Sequence, residues 1–270
     1  MEKEILIFGH KNPDTDSICS AMVKERLNKK NGYDSSVAVR LGNINKETQY
    51  VLNYLNLEAP ELKEEVAEGQ KVIMVDHNEF NQSIKGIEKA KILGVVDHHR
   101  IANFETSDPL YYTARPYGCT STILFQDFKG KGIEINREEA ILMASAIISD
   151  TLLLKSPTTT KHDEKALEEL EKIAGIDIKE YGLEMLKAGT DLDDFTAKEL
   201  INLDAKELDK NGIKFVIGQV NTVDIPSVLE RQEELEKAKE EAKNELENYL
   251  DKENYRENEQ KEIDKIIDDA

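Results

Sequence analysis

Four short apolar runs near the start of the chain constrain its fold more than any other feature. They are EILIF, SVAVRL, KVIMVD and KILGVVD, all rich in Ile and Val. Such runs are typical of the buried strands of a parallel sheet. The helical patterns DSICSAMVKERLNKKNG and KETQYVLNYLNL follow the first two runs. This alternation predicts an α/β domain in which helices cover both faces of a parallel sheet.

The later sequence predicts more helix and then a second, smaller α/β domain. REEAILMASAIISDT is apolar enough to be a buried helix, and Thr160 with Asp163 opens another in the pattern of a capping box. We predict domains at 1–187 and 194–270, joined by a hinge linker at 188–193. In the second domain, LDAKEL is predicted to be part of a charged helix and GIKFVIGQVNTVD a strand or hairpin. One long helix is predicted from Pro226 onward.

Composition narrows the environment and the partners. The formal net charge is -19 and the pI about 4.8, which argues against non-specific binding to nucleic acid. The two cysteines, Cys19 and Cys119, form no disulfide framework, so a reducing cytoplasm is expected. No apolar run approaches the roughly 20 residues that span a bilayer, so no membrane partner is expected.

Potential metal ligands follow several of these apolar elements. They are His10, Asp14, Asp16, Asp76, Asp97, His98, His99 and Asp150. Because the carboxyl ends of parallel strands meet at one edge of the sheet, these side chains are expected to lie close together. Imidazole and carboxylate ligands suit a divalent first-row metal such as manganese, and no cysteine joins them as in structural zinc sites. Clustered carboxylates repel one another without cations, and their number suits two metals with one bridging aspartate.

Other interpretations of single residues stay open at this level. The cluster of His10, Asp14 and Asp16 could by itself be a helix N-cap, because Asp, Thr and Ser favour that position. His77 follows Asp76 directly, so its side chain is expected on the opposite face of the strand, in a packing or a functional role. His162 opens a charged helix and is expected at the surface.

Several motifs together resemble a known family. GHKNPDTDS, VDHN, VDHHR and SDTLLLKSPTTT, with RPYGCTSTIL and GQVNTVDIPSVLERQ, are similar to the DHH phosphoesterase superfamily, and in particular to its manganese-dependent family II inorganic pyrophosphatases. The resemblance implies hydrolysis of inorganic pyrophosphate to two phosphates by a hydroxide that bridges two Mn²⁺ ions. It leaves Co²⁺ or Mg²⁺ possible in their place. It also implies two domains around a cleft and a homodimer formed through the first domain.

The resemblance also implies a role for each matched residue. One metal would be held by His10, Asp14 and Asp76, and the other by Asp16, Asp76, His98 and Asp150. Asp76 would therefore bridge the two ions. His99 would face the substrate phosphate, and Lys206 in LDAKEL would bind substrate from the second domain.

The sequence departs from the family at its C-terminus, which keeps alternatives open. The Arg-Lys-Lys run of the family's second domain has no match, and the adjacent lysines Lys29 and Lys30 lie far upstream. We therefore expect an incomplete second domain and slow hydrolysis, or a metal-binding chain with little activity. A DHH-type phosphodiesterase acting on short or cyclic dinucleotides is a further alternative. Such relatives carry a glycine-rich motif, whereas this chain contains no Gly-Gly pair.

Overall fold

A computed structural model describes residues 4–190, 195–202, 205–210, 213–218 and 225–244 of the chain. For 205–210 and 213–218 it describes the backbone only. The chain divides into two compact units, Met1–Gly189 and Thr190–Ala270. The hinge expected at 188–193 lies partly outside the described residues, and the domain boundaries derived from the sequence stay a prediction.

A six-stranded parallel sheet forms the centre of the first unit, with the strand order β3-β2-β1-β4-β5-β6. The strands are β1 (Ile5–Phe8), β2 (Ser36–Arg40), β3 (Glu61–Leu62), β4 (Lys71–Val75), β5 (Lys91–Asp97) and β6 (Tyr111–Ala114). The four apolar runs are β1, β2, β4 and β5, which confirms the predicted sheet. The sequence did not predict β3 and β6, because both lie at sheet edges and neither is an apolar run.

Six helices of the first unit contribute to one hydrophobic core on one face of the sheet. They are α1 (Thr15–Lys30), α2 (Lys46–Leu55), α3 (Thr120–Gly130), α4 (Arg137–Thr151), α5 (Lys161–Ala174) and α6 (Ile178–Gly189). The opposite face is covered by loops and by two short 3-10 helices, Phe80–Gln82 and Ile87–Lys89. The α-helices thus cover one face only and not both faces as predicted, because short loops and 3-10 turns connect β4, β5 and β6. Alternate residues of β1, β2, β4 and β5 therefore supply two separate cores. In β1, for example, Ile5 and Ile7 face the α-helices, while Leu6 and Phe8 face the other side.

Local sequence signals account for where several helices begin and end. The predicted capping box of α5 is present, because Thr160 and Asp163 each bond the other's backbone. Asn136 and Glu139 form a second capping box at the start of α4. Gly175 ends α5 in the left-handed region. Within the described part of the chain, no helix combines the length and hydrophobicity that crossing a membrane requires.

The strand order places a crevice at the carboxyl end of the sheet. The chain passes from β1 to β2 on one side of β1, and β4 later adds on its other side. In open α/β sheets, such a reversal leaves a ligand-binding crevice beyond the strand ends. The segments that follow β1 and β4 begin at this crevice, and these segments carry His10 and Asp76.

The second unit contains an antiparallel hairpin and helices. Its elements are α7 (Ala197–Asn202), β7 (Ala205–Lys210), β8 (Ile213–Gly218) and α8 (Ile225–Glu230), and residues 232–244 are also helical. Residues 203, 204, 212 and 219–224 of the two stretches LDAKEL and GIKFVIGQVNTVD lie outside the described residues. The predicted strand or hairpin is confirmed for Ile213–Gly218, which is β8. The predicted helix is wrong for the described part of LDAKEL, residues 205–208, which lies in β7. Pairing with the apolar strand β8 outweighs the helical preference of its Lys and Glu residues. A turn at Arg231 interrupts the long helix expected from Pro226.

Candidate metal centre

Potential ligand atoms converge where β1, β4 and β5 end. Three sets of side chains each bring their ligand atoms within 4.8 Å of one another. We name two of them the Asp14 group, which is His10, Asp14 and Asp76, and the Asp150 group, which is Asp16, Asp76, His98 and Asp150. The third set is Asp76, His98 and His99. Asp76 belongs to all three, so its carboxylate lies at the centre of the cluster.

Asp76 occupies a constrained position directly after β4. Its φ is 58°, a left-handed conformation that costs a residue with a side chain roughly 1–3 kcal/mol. Its buried carboxylate accepts hydrogen bonds from Ser17 Oγ at 3.1 Å and Thr120 Oγ1 at 3.2 Å. Oδ2 lies 3.5 Å from His10 Nε2, and Oδ1 lies 3.3 Å from His98 Nε2. Each oxygen thus faces a histidine of a different group.

Asp16 is fully buried in the first turn of α1. Its carboxylate accepts hydrogen bonds from the backbone N–H of Thr120 at 2.7 Å and of Ser121 at 3.3 Å, at the start of α3. Ser20 Oγ donates a third at 2.5 Å. Free amides at a helix N-terminus favour a carboxylate, which explains how this charge can be buried.

Asp14 has two roles in the structure. It is the N-cap of α1, where its side chain accepts a hydrogen bond from Ser17 N at 2.9 Å. Its other oxygen lies 3.5 Å from His10 Nε2 within the Asp14 group. The N-cap interpretation and the ligand interpretation of this segment are therefore compatible, since each uses a different oxygen.

Hydrogen bonds orient the two histidines that follow β5. His98 Nδ1 lies 3.0 Å from the carbonyl of Tyr117, so Nδ1 donates and Nε2 is left to face Asp76. His99 Nδ1 lies 2.9 Å from Asp97 Oδ1, and this contact raises the pKa of His99. Asp97 belongs to none of the three sets. Its buried carboxylate orients His99, which is half exposed.

His77 and Lys206 stand apart from the cluster in different ways. His77 is buried, and its Nδ1 lies 2.9 Å from the carbonyl of Val75. Burial lowers the pKa of His77 to about 4, so its ring is neutral. Lys206 lies on β7, opposite Ile217, and the position of its side chain is outside the described residues.

The charge balance of the cluster is unfavourable without cations. Burial and the nearby charge of Asp76 raise the pKa of Asp16 to about 6, and burial beside Asp16 raises the pKa of Asp150 well above its usual range. Burial works against ionised histidine, but the neighbouring carboxylates outweigh it. They raise the pKa of His10 to about 10 and that of His98 to about 9. Asp16 and Asp150 thus tend to keep protons, as expected of clustered negative charges, whereas the contacts of Asp76 with His10 and His98 outweigh its burial and lower its pKa.

The residues present fit divalent cations. Asp150 Oδ2 is buried without a hydrogen-bond partner among the described residues, 3.7 Å from His98 Nε2. The four aspartates of the two groups carry, when ionised, the charge that two divalent ions would balance. Mixed imidazole and carboxylate ligands suit Mn²⁺ and allow Co²⁺ or Mg²⁺.

Sequence reasoning missed the hydroxyl groups that hold the ligands. Ser17 and Thr120 donate to Asp76, while Ser20 donates to Asp16. A usable signal was the density of Ser and Thr in the first two turns of α1 and in the first turn of α3. Gly9 is a further signal, because a Cβ at this position would lie 2.2 Å from Ser17 Oγ and would displace that hydroxyl.

Comparisons with known proteins agree with this arrangement. Residues 4–147 match the model of the DHH family, N-terminal domain, and residues 183–254 match the DHHA2 domain. The fold and the ligand groups therefore define a DHH protein.

Among curated relatives, the manganese-dependent inorganic pyrophosphatase of Bacillus subtilis is 58% identical over 237 residues, covering 87% of this chain and 76% of the relative. A probable manganese-dependent inorganic pyrophosphatase of Exiguobacterium is 57% identical over 235 residues, with 87% and 76% coverage. The crystal structure of a putative family II inorganic pyrophosphatase of Methanococcus jannaschii superimposes with a TM-score of 0.67 at 40% identity, covering 88% of this chain and 79% of that one. The chain belongs to the family of manganese-dependent inorganic pyrophosphatases.

Proposed function

We propose that this chain hydrolyses inorganic pyrophosphate to two phosphates at a centre of two divalent ions, with Mn²⁺ as the resident metal. The observation that carries the proposal is Asp76, whose two oxygens each face a different ligand group. The Bacillus subtilis relative, 58% identical, is named a manganese-dependent inorganic pyrophosphatase.

The Asp14 group would hold one ion and the Asp150 group the other, with Asp76 shared between them. Two bound divalent ions act as Lewis acids and lower the pKa of water to near neutrality. The chain's own residues keep the ligands in place. Ser17 and Thr120 fix the carboxylate of Asp76, and Tyr117 fixes the tautomer of His98.

His99 is proposed to contact the substrate phosphate. It lies beside both groups, with Nδ1 3.8 Å from Asp76 Oδ1, and half of its side chain is exposed. The hydrogen bond to Asp97 raises the pKa of His99, which favours the cationic form that attracts an anion. Lys206 is proposed as a substrate-binding residue of the second unit, on the strength of the family resemblance alone.

Three further proposals concern the whole chain. The division at 1–187 and 194–270 and the homodimer are carried over from the sequence and its resemblance. A cytoplasmic location is supported by Cys19 and Cys119, which are both free and buried.

A phosphate-release assay tests the proposed function. The chain is incubated with Mn²⁺ and pyrophosphate, and in parallel with Mn²⁺ and a linear dinucleotide, whose cleavage is followed by chromatography of the mononucleotides because it releases no inorganic phosphate. We expect phosphate from pyrophosphate and no cleavage of the dinucleotide. Preferential dinucleotide cleavage would support the phosphodiesterase alternative. Two bound Mn²⁺ without phosphate release would support a metal-binding chain with little activity. The slow turnover expected from the sequence stays a prediction. It is tested by comparing the kcat of this chain with that of the Bacillus subtilis enzyme under the same conditions.

A further inference from the structure

One carboxylate outside the ligand groups connects the segments that carry them. Glu47 lies in the first turn of α2 and belongs to none of the three sets of possible metal ligands. Its Oε1 accepts a hydrogen bond from Thr15 Oγ1 at 2.6 Å and another from Ser149 Oγ at 2.5 Å. The two donors lie on different helices, α1 and α4, so this single oxygen bridges them.

Both donors are immediate neighbours of proposed ligands. Thr15 stands between Asp14 and Asp16, and Ser149 precedes Asp150. Glu47 therefore holds the N-terminal turn of α1 against the C-terminal turn of α4. Three proposed ligands, which represent both groups, lie within one residue of these two contacts.

The direction of these hydrogen bonds is determined by chemistry. An ionised carboxylate only accepts, so both hydroxyls must donate to Glu47. Thr15 Oγ1 can then accept from Thr48 Oγ1, which lies 3.2 Å away in α2. The result is a directed chain from Thr48 through Thr15 to Glu47. It fixes the hydroxyl of Thr15, which is fully buried.

Close packing limits where the Glu47 side chain can go. A Cβ added at Gly189, the last residue of α6, would lie 2.9 Å from Glu47 Cβ and 3.0 Å from Oε2. The absence of a side chain at this position leaves room for Glu47. Gly189→Ala would press on Cβ and Oε2 of Glu47, whereas the two donors bond Oε1.

We infer that Glu47 is a positioning residue that sets the spacing between the Asp14 group and the Asp150 group. The inference rests on the proposed function, because it assumes that these groups bind metal. Partners that orient metal ligands typically contribute 10–100-fold to metal affinity or activity. Glu47 acts through an acceptor atom at a defined place and not through its charge.

Calorimetric titration of the full chain with Mn²⁺ tests this role. We expect Glu47→Ala to weaken Mn²⁺ binding by about 10–100-fold. Glu47→Gln should bind nearly as wild type, because its amide oxygen can accept both hydroxyl donors. The matched control is Glu25→Ala. Glu25 is partly buried and accepts from Ala38 N and Lys29, but it lies nearer the far end of α1. The control should leave Mn²⁺ binding unchanged.

Two variants that leave Glu47 in place separate its contacts. Ser149→Ala should weaken only the site that contains Asp150, whereas Thr15→Val should weaken both sites. They also keep the test decisive if Glu47→Ala does not fold. Excess Mn²⁺ should restore most of the kcat of each variant, because the ligands themselves remain.

Several results would overturn the inference. One is unchanged Mn²⁺ affinity in Glu47→Ala, or in both hydroxyl variants. Another is a Glu47→Gln variant that binds Mn²⁺ as weakly as Glu47→Ala does. In that case the negative charge of Glu47, and not its acceptor atom, would be the important property. Wild type measured in parallel keeps the two proposals distinct. A wild-type chain that binds no Mn²⁺ contradicts the proposed function, whereas normal wild-type binding with unaffected variants contradicts only the role of Glu47.

Discussion

The two ligand groups share Asp76 but differ in their exposure to solvent. In the Asp14 group, 46% of the Asp14 side chain is exposed. In the Asp150 group, Asp16 is fully buried, and Asp150 and His98 are exposed by only 14% and 15%. One group is thus open on one side, while the other is enclosed by the fold.

The groups also differ in how the chain supports them. The backbone amides of Thr120 and Ser121 hold Asp16, and the carbonyl of Tyr117 holds His98. In the Asp14 group, the supporting hydrogen bond of Asp14 is the local helix cap of α1. Enclosure and preorganised ligands both favour tight binding. We therefore expect the Asp150 group to bind Mn²⁺ more tightly and to exchange it more slowly.

The largest effect is expected from Asp76→Asn, which would remove the difference between the groups by damaging both. The variant replaces a shared anionic ligand with a neutral one. Loss of one preorganised electrostatic group costs roughly 10²–10³ in kcat, and here two ions are affected. We expect kcat to fall by more than about 1000-fold and calorimetry to show both sites weakened. An unaltered second site would show that Asp76 does not bridge.

Asp16→Ala and Asp14→Ala should separate the groups. We expect Asp16→Ala to weaken the tighter Mn²⁺ site by more than about 100-fold, and Asp14→Ala to weaken only the other site. Stability should differ as well. Without Asp16, the buried amides at Thr120 and Ser121 lose their acceptor, at about 1–3 kcal/mol each. Relief of the repulsion between Asp16 and Asp76 offsets part of this loss near neutral pH and less of it at pH 5, where Asp16 is largely protonated. Loss of the Asp14 cap costs about 1 kcal/mol. Chemical denaturation of the metal-free chains measures this. Equal weakening of both sites by both variants would contradict two distinct groups.

His99→Gln should have a smaller effect and spare both groups. Its proposed role is a contact to the substrate phosphate, and a hydrogen bond to a charged group contributes about 1.5–3 kcal/mol. We expect kcat/KM for pyrophosphate to fall by about 10–100-fold, with Mn²⁺ affinity unchanged. Steady-state kinetics at saturating Mn²⁺ provide the measurement. A loss as large as that of Asp76→Asn would mean that His99 acts as a ligand.

The smallest effect is expected from Gly182→Ala, which should disturb only the Asp150 group. An added Cβ would lie 2.6 Å from Leu153 Cδ2, and Leu153 belongs to the left-handed turn Leu152–Leu154 that follows Asp150. Overpacking typically costs about 1–3 kcal/mol. We expect a lower melting temperature and a few-fold loss at the tighter Mn²⁺ site.

Gly130→Ala is the control for this variant. Gly130 ends α3, and an added Cβ there meets nothing within 4 Å. It should leave Mn²⁺ binding unchanged and stabilise the chain slightly, by about 0.4–1 kcal/mol. If the Gly182→Ala chain has the same melting temperature as this control, the turn after Asp150 can move to accept the added Cβ without loss of stability.

The sequence alone determined the elements and side chains whose signals are local. The apolar runs of β1, β2, β4 and β5 have a composition that favours buried strands, and the capping box at Thr160 is a four-residue pattern. The proposed ligands follow apolar elements, so the general rule for open sheets brought them to one edge. These features depend on neighbours close in the chain or on a rule that holds for a whole class of folds.

Tertiary structure decided the features that depend on partners distant in sequence. LDAKEL has a helical composition, yet its residues 205–208 lie in strand β7 because β8 pairs with them. The edge strand β6 has no apolar run and is defined by pairing with β5. Glu47 meets Ser149 across 102 positions of the chain, and Thr120 meets Asp16 across 104. Such contacts leave no periodicity in the sequence, because only the packing of whole helices and strands brings their atoms within hydrogen-bonding distance.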